Sequence, residues 1–420
     1  MREMKDSGVA WIGEIPEEWK ILPNKYLMKK EKSICESYNG EDILSLSMKG
    51  VVVRDLNSGG KMPLSFDGYQ YLKPGNLLMC LFDIDVTPRC IGLIRNNGLS
   101  SPAYSQFSLS NFAFNEYYYY YYLMLDNSKT LYHLAKNLRH SLTEEQLGMI
   151  STAVPPLSIQ HQIATYLDQK CTQIDALITN QQKQIEKLKA YKQSLITETV
   201  TKGLNPDVPM KDSGVEWIGE IPEDWEIVRI KNICQFNPSS KKSFSDDDIV
   251  SYAPMECVRT GSLVHKEIAI KNVSSGLTYF EENDIIMAKV TPCFENGNIA
   301  IATGLTKGMA FGSSELFVFR ANESIKFFLF YFLQNNIFKK FSISTMTGTG
   351  GLKRVSSNFV NNYSFALPPI EERNKIVFYL DKKCTQIDSL IAIKQRKIEK
   401  LQQYKKSVIY EYVTGKKEVK

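Results

Sequence analysis

Two long stretches of the chain place apolar residues at the three- and four-residue spacing of one helix face. In the first, Leu167, Cys171, Ile174, Ile178, Ile185, Leu188 and Leu195 hold heptad positions. In the second, Leu380, Cys384, Ile387, Ile391, Ile398, Leu401 and Val408 hold them in the same register. Each stretch follows a Pro-Pro pair (Pro155 and Pro156; Pro368 and Pro369), which precedes or begins a helix but does not sit inside one. No Gly or Pro then occurs until Gly203 and Gly415, where helices commonly stop. Polar residues interrupt both stripes at matching places, Gln181/Lys394 and Lys192/Lys405, and such core positions fix register and partner choice. A helix of about 40 residues spans roughly 60 Å, more than a compact domain needs. Two such helices most simply pack antiparallel as a coiled coil; the alternative is two separate amphipathic helices, each buried on its own domain.

The helical stretches are one part of a duplication that runs through the whole chain. Residues 4–25 and 210–231 agree at 16 of 22 positions, both carrying the heading "WIGEIP". Residues 155–201 match 368–414 at an offset of 213, with "YLD" and "CTQID" in both. Between heading and helix lie dissimilar segments of related pattern. Short apolar runs bounded by turn residues, within 73–94 and 281–301, predict strands. Aromatic, helix-length stretches follow, "NEYYYYYYLML" and "ESIKFFLFYFL". The six tyrosines 117–122 invite comparison with a base-stacking platform, but their alignment with the plainly apolar second copy predicts a core helix. The expected fold class is α+β: two similar mixed α/β domains, 1–154 and 203–367. Two long helices, 155–202 and 368–420, join them as an antiparallel coiled coil with an internal pseudo-twofold.

Composition changes this picture little. The 43% hydrophobic and 23% charged residues are those of a globular chain, and runs such as "FFLFYFL" fall well short of a membrane span. The start, "MREMKDSGVAW", lacks an apolar stretch of signal type, so a cytoplasmic location is expected. The 8 cysteines and 4 histidines are scattered without metal-ligand spacing, and no metal is expected. The net charge of +5 is distributed unevenly. Segments 155–202 and 368–420 carry 6 and 13 basic against 4 and 7 acidic residues, while the two domains are near neutral. A nucleic-acid face on the domains would therefore depend on local placement of charge.

Catalytic motifs are missing. "TGTGGLKR" (347–354) lacks the spacing of a cofactor or phosphate loop, and "NPSS" (237–240) lacks the second proline and aromatic of an amino-methylating enzyme. The Glu18-Trp19-Lys20 triplet becomes Asp224-Trp225-Glu226 in the second copy, which removes its nuclease-like ExK pattern. The candidate DNA contacts lie just before each long helix, in "LAKNLRHSLTEEQ" (134–146) and "STMTGTGGLKRVSSN" (344–358). Lys136, Arg139 and His140 in the first, and Thr349, Lys353 and Arg354 in the second, offer donors to phosphate or guanine. The heading hardly differs between copies. Its Trp217, Ile218, Ile221 and Trp225 are therefore expected to anchor the domain on the helical frame rather than to touch bases.

The paired "WIGEIP…W" headings and "PP…I…YLD…ID.LI" blocks, in this order, resemble the specificity subunit of Type I restriction–modification systems over essentially the whole chain. The resemblance implies two target recognition domains, each reading one half of a bipartite, asymmetric DNA sequence. Conserved helices would space them and dock the methyltransferase subunits. Leu167, Ile174, Ile178, Ile185, Leu188, Leu195, Leu380, Ile387, Ile391, Ile398, Leu401 and Val408 would form that coiled coil and subunit interface. It further implies no catalysis in this chain. S-adenosylmethionine would reside on two methyltransferase subunits that flip out an adenine, and ATP and Mg on restriction/translocase subunits. Where the family often has Glu-Gln after Pro-Pro, this chain has Ile159-Gln160 and Glu372-Arg373. A self-contained adenine methyltransferase with its own recognition domains is the enzymatic alternative. A coiled-coil scaffold without a DNA role is the third.

Overall fold

A computed structural model describes residues 2–57, 63–135, 140–240, 244–349 and 351–419. The chain divides into two compact units, residues 1–182 with 395–420, and residues 183–394. Each unit therefore holds one mixed domain together with a stretch of both long helices.

In the first unit the heading folds as a hairpin, Met4–Asp6 against Glu14–Pro16, which turns Val9, Ile12 and Ile15 into the core. Lys20–Pro23 then pairs antiparallel with Ser151–Val154, the strand that leads into the first long helix. This pairing sets the heading beside the start of that helix. The central sheet contains β1 (Met28–Glu31), β2 (Leu77–Met79), β3 (Ile91–Leu93) and β4 (Ser105–Leu109), in the antiparallel order β1-β4-β2-β3. Met79 stands between Ile91 and Ser105. β2 is buried on both faces, which explains its unbroken apolar run in place of an alternating one. Helix α1 (Asn115–Asn127) packs on β3.

The second unit repeats this plan. Met210–Asp212 pairs with Glu220–Pro222 in the same register, and Glu226–Arg229 pairs with Ser364–Leu367 before the second long helix. The central sheet is β5 (Cys234–Phe236), β6 (Ile285–Ala288), β7 (Ile299–Ile301) and β8 (Leu316–Ala321), in the order β5-β8-β6-β7. Met287 stands between Ile299 and Phe317, as Met79 does between Ile91 and Ser105. Helix α2 (Glu323–Phe332) is the counterpart of α1. The units differ most in their second sheet. In this unit it has four strands, Ile249–Ala253, Lys266–Ala269, Thr278–Glu281 and Met309–Gly312, whereas the described residues of the first unit form two strand pairs, Leu44–Ser47 with Gly50–Val53 and Gln70–Leu72 with Gly98–Ser100.

The two long helices span Leu157–Lys202 and Ile370–Val413. In the first unit Tyr166 packs on Tyr412, and Asp175 bonds Lys405 at 2.7 Å. In the second, Gln184 meets Lys394 and Asp388 bonds Lys192 at 2.6 Å. Within each unit one helix number rises as the other falls, so the packed stretches are antiparallel, which excludes two independent helices. The predicted stripe faces inward: Leu167, Ile174, Ile185, Leu380, Ile387, Ile398 and Val408 are buried. Ile178, Leu188, Leu195, Ile391 and Leu401 are half-buried. Near the helix ends the buried face widens to include Ile196, Val200, Ile409 and Val413. There each helix packs on a domain as well as on its partner helix, and a strict heptad no longer describes the buried surface.

Candidate nucleic-acid interface

The frame that presents the candidate loops is built twice from the same bonds. In the first unit Tyr120 on α1 donates its hydroxyl to Asp168 at 2.6 Å. In the second, Tyr331 on α2 donates to Asp381 at 2.6 Å. Both carboxylates are the aspartate of "YLD", so that motif locks the domain helix to the long helix. Burial, and then the adjacent carboxylate, push the ionisation of both phenols well above the ordinary tyrosine range. Gln160 reaches back to the chain before α1, with its amide donating to Phe112 O at 3.0 Å and its oxygen accepting from Phe114 N at 2.7 Å. Its counterpart Arg373 donates to Ser324 O at 3.2 Å. Gln160, which keeps the glutamine of the resembled pattern, and Arg373, which departs from it, therefore both clamp the domain to the helix start.

Trp19 and Trp225 are fully buried, and Trp225 donates its indole N–H to Glu372 at 2.9 Å. The heading tryptophans thus anchor the domain on the frame, as does Ile221. Trp217 behaves differently. It is 46% exposed, with its ring beside Phe341 and Tyr363. The tyrosines of α1 are core residues. Tyr117, Tyr118, Tyr120, Tyr121 and Tyr122 are all buried, and the hydroxyls of Tyr117 and Tyr122 end on Val413 O and Asn24 Oδ1. Those five rings offer no stacking platform.

In the second unit the candidate loop is a closed turn hung from the end of β6. Thr347 and Arg354 exchange backbone bonds at 3.1 and 2.8 Å. The turn is pinned by Val355 N to Lys289 O and Thr291 N to Lys353 O, both at 2.9 Å. The Thr291 hydroxyl also donates to Gly351 O at 2.8 Å and accepts from Lys353 N at 2.9 Å. Gly348 sits at φ 142°, where a Cβ would stand 2.3 Å from Leu352 O. The glycine is what permits this tight closure. Thr349 and Lys353 are exposed on the turn. Arg354 points its Nε and Nη2 at Glu315, with contacts of 3.0, 2.9 and 2.7 Å. The guanidinium beside Glu315 lowers the carboxyl's pKa, and Lys289 adds to the effect.

The first unit holds its loop by corresponding backbone bonds, Leu142 N to Leu81 O at 2.8 Å and Ile84 N to His140 O at 3.1 Å. His140 and Lys353, 213 residues apart, therefore occupy equivalent places. His140 is half-buried, its ring against Tyr132 and its Nδ1 turned inward. Lys136 and Arg139 lie outside the described residues. Further along, Thr143 caps the short helix Glu144–Met149 in a capping box with Gln146. Sequence inspection did not single out Glu315, Lys289 or Thr291, because their roles arise only from strand pairing. The "YLD" aspartates were visible as a repeat, but their tyrosine partners lie some 50 residues upstream.

The family model for the Type I restriction modification DNA specificity domain matches residues 96–187 and 222–403. The chain is 36% identical over 177 residues to the Type I restriction enzyme EcoAI specificity subunit of Escherichia coli, covering 41% of this chain and 30% of the relative. It is 30% identical over 211 residues to the EcoEI specificity subunit of the same organism, covering 49% of this chain and 35% of the relative. The matched stretch thus spans about a third of the length of these two relatives. A 28% match to the MjaVIII specificity subunit of Methanocaldococcus jannaschii covers 64% of this chain and 63% of that one. Among solved structures, a chain described under assembly and conformational transition of the type I R-M system superimposes with a TM-score of 0.68. That match has 13% identity over 95% of this chain and 98% of the other, a likeness of fold.

Proposed function

This chain belongs to the Type I restriction–modification DNA specificity family, and from that premise we propose that it is the sequence-recognition subunit of such a complex. The observation that carries the proposal is the contrast between a duplicated frame and unlike turns. Tyr120–Asp168 and Tyr331–Asp381 repeat the same clamp, while the turns before the long helices share backbone pairing and differ in side chains. Modules that read different half-sites require this arrangement. Lys136, Arg139, His140, Thr349, Lys353 and Arg354 are the proposed DNA contacts. Phosphate contacts position the chain, base-edge contacts specify, and affinity falls steeply with salt.

The chain itself is proposed to be non-catalytic. Methyl transfer from S-adenosylmethionine, and ATP- and Mg-dependent translocation and cleavage, belong to partner subunits acting in the cytoplasm. The long helices supply the spacing of the half-sites and the docking of two methyltransferase subunits.

The test is to map methylated adenines in a host expressing this chain with its partner subunits, before and after residues 20–150 are replaced by those of another family member. A bipartite motif with an unread gap, of which only one half changes on the swap, is the expected result. Change in both halves contradicts the modular arrangement. Methylation of DNA by the purified chain alone would favour the self-contained methyltransferase.

A further inference from the structure

Resting on that function, we propose that Arg354, held by Glu315, is the residue through which the second unit reads a guanine in its half-site. A guanidinium carries five N–H donors in a planar fork. Glu315 engages Nε and Nη2, so one long edge of the fork is fixed. The remaining edge, Nη1 with the second Nη2 hydrogen, presents two parallel donors. Their spacing matches the O6 and N7 acceptors that guanine shows in the major groove.

Three observations favour a reading role over a structural ion pair. The Arg354 side chain is 48% exposed, and an exposed pair contributes little to stability. The turn is already closed by its own backbone bonds and by Thr291, so it keeps its shape without the side-chain pair. Among the described residues, the equivalent positions of the first unit also carry no such pair. Leu142 and Val355 make equivalent backbone bonds to the end of the central strand, which places Ser141 opposite Arg354. Likewise Ser105 and Phe317 pair with Met79 and Met287, which places Ala103 opposite Glu315. A base-reading pair should differ between modules in this way, whereas frame contacts repeat.

Glu315 is a positioning residue. It holds the long side chain of Arg354 in one orientation, so less rotamer freedom is lost on binding. The neighbouring exposed Lys353 and Thr349 are placed to meet phosphates on either side of the base.

The experiment uses the complex of this chain with its methyltransferase subunits and duplexes containing the mapped motif. Each guanine of the half-site unaffected by the 20–150 swap is replaced in turn by 7-deazaguanine, which removes N7. One such replacement should weaken binding of the unmutated complex about 10-fold. Arg354→Ala should show no further loss at that guanine and should accept other bases there, leaving the other half-site unchanged. Glu315→Gln should blunt the preference at that one position, and Glu315→Asp should restore part of it. A merely structural role would not move a single base preference. The proposal is overturned if no guanine in that half-site responds to 7-deaza replacement. It also fails if Arg354→Ala weakens all sequences alike, the mark of a phosphate contact. If Arg354→Ala does not assemble, the 7-deazaguanine series with the unmutated complex decides. A wild-type complex that gives no bipartite motif contradicts the proposed function itself, before any variant is made.

Discussion

The first unit closes its heading with a fully buried Trp19 whose indole N–H has no hydrogen-bond partner among the described residues, and the second with a fully buried Trp225 whose N–H bonds Glu372. Position 159, the counterpart of Glu372, is an isoleucine. The same large ring is retained while the polar partner is optional. What the frame requires of the heading is therefore apolar volume against the helix end, where Gly415 lets Pro16 and Trp19 approach closely, while Gly203 makes room for Glu372 beside Trp225. The Tyr–Asp clamp is kept in full in both units, polar atoms included. The turns before the long helices keep only their backbone pairing. Moving outward from the helices, the two units change from identity of atoms, to identity of shape, to identity of backbone alone.

The largest test of that gradient is removal of the heading rings. Trp19→Ala and Trp225→Ala should each lower unfolding stability by about 3–5 kcal/mol, measured as shifts in denaturant midpoint. Trp225→Ala should cost more, because Glu372 is left without its donor. A costlier Trp19→Ala would reverse the comparison.

Next in size are Tyr120→Phe and Tyr331→Phe, which delete matched hydrogen bonds to carboxylates. Each should cost about 1.5–3 kcal/mol, and clearly unequal losses would break the equivalence of the clamps. pH gives a second handle on them. Burial and the neighbouring aspartates raise the folded-state pKa of both phenols above the unfolded value near 10. The contribution is therefore fully present below about pH 10 and is lost as pH rises above it. In a spectrophotometric titration these tyrosines should ionise only with unfolding, and Tyr331→Phe should flatten the alkaline loss of stability.

The smallest effect belongs to the ion pairs Lys405–Asp175 and Lys192–Asp388. Their carboxylates are 56% exposed. Asp175→Asn and Asp388→Asn should each cost no more than about 1 kcal/mol, and the difference should shrink in high salt. A loss of several kcal/mol in either would mark that pair as part of the core frame.

Periodicity alone located the long helices, their bounds near Pro156 and Gly203, and the inward stripe, because a 3.6-residue repeat is a local property that survives any docking. Internal repetition likewise exposed the two-module plan and separated frame from variable segments. The burial of five of the six tyrosines 117–122 followed from the apolar counterpart of that run. Three things were decided only in three dimensions. The heptad stripe gives way near the helix ends to a broader face with Ile196, Val200, Ile409 and Val413, since each helix there packs on two neighbours. Trp217, whose counterpart Trp11 in the first heading is half-buried, ends 46% exposed beside Phe341 and Tyr363, residues far along the chain. Glu315 meets Arg354 only because β8 lies beside β6 and the turn hangs from the end of β6. A long-range ion pair has no period and no spacing for a sequence to display, so the pair proposed to read a base became visible only when the strands were paired.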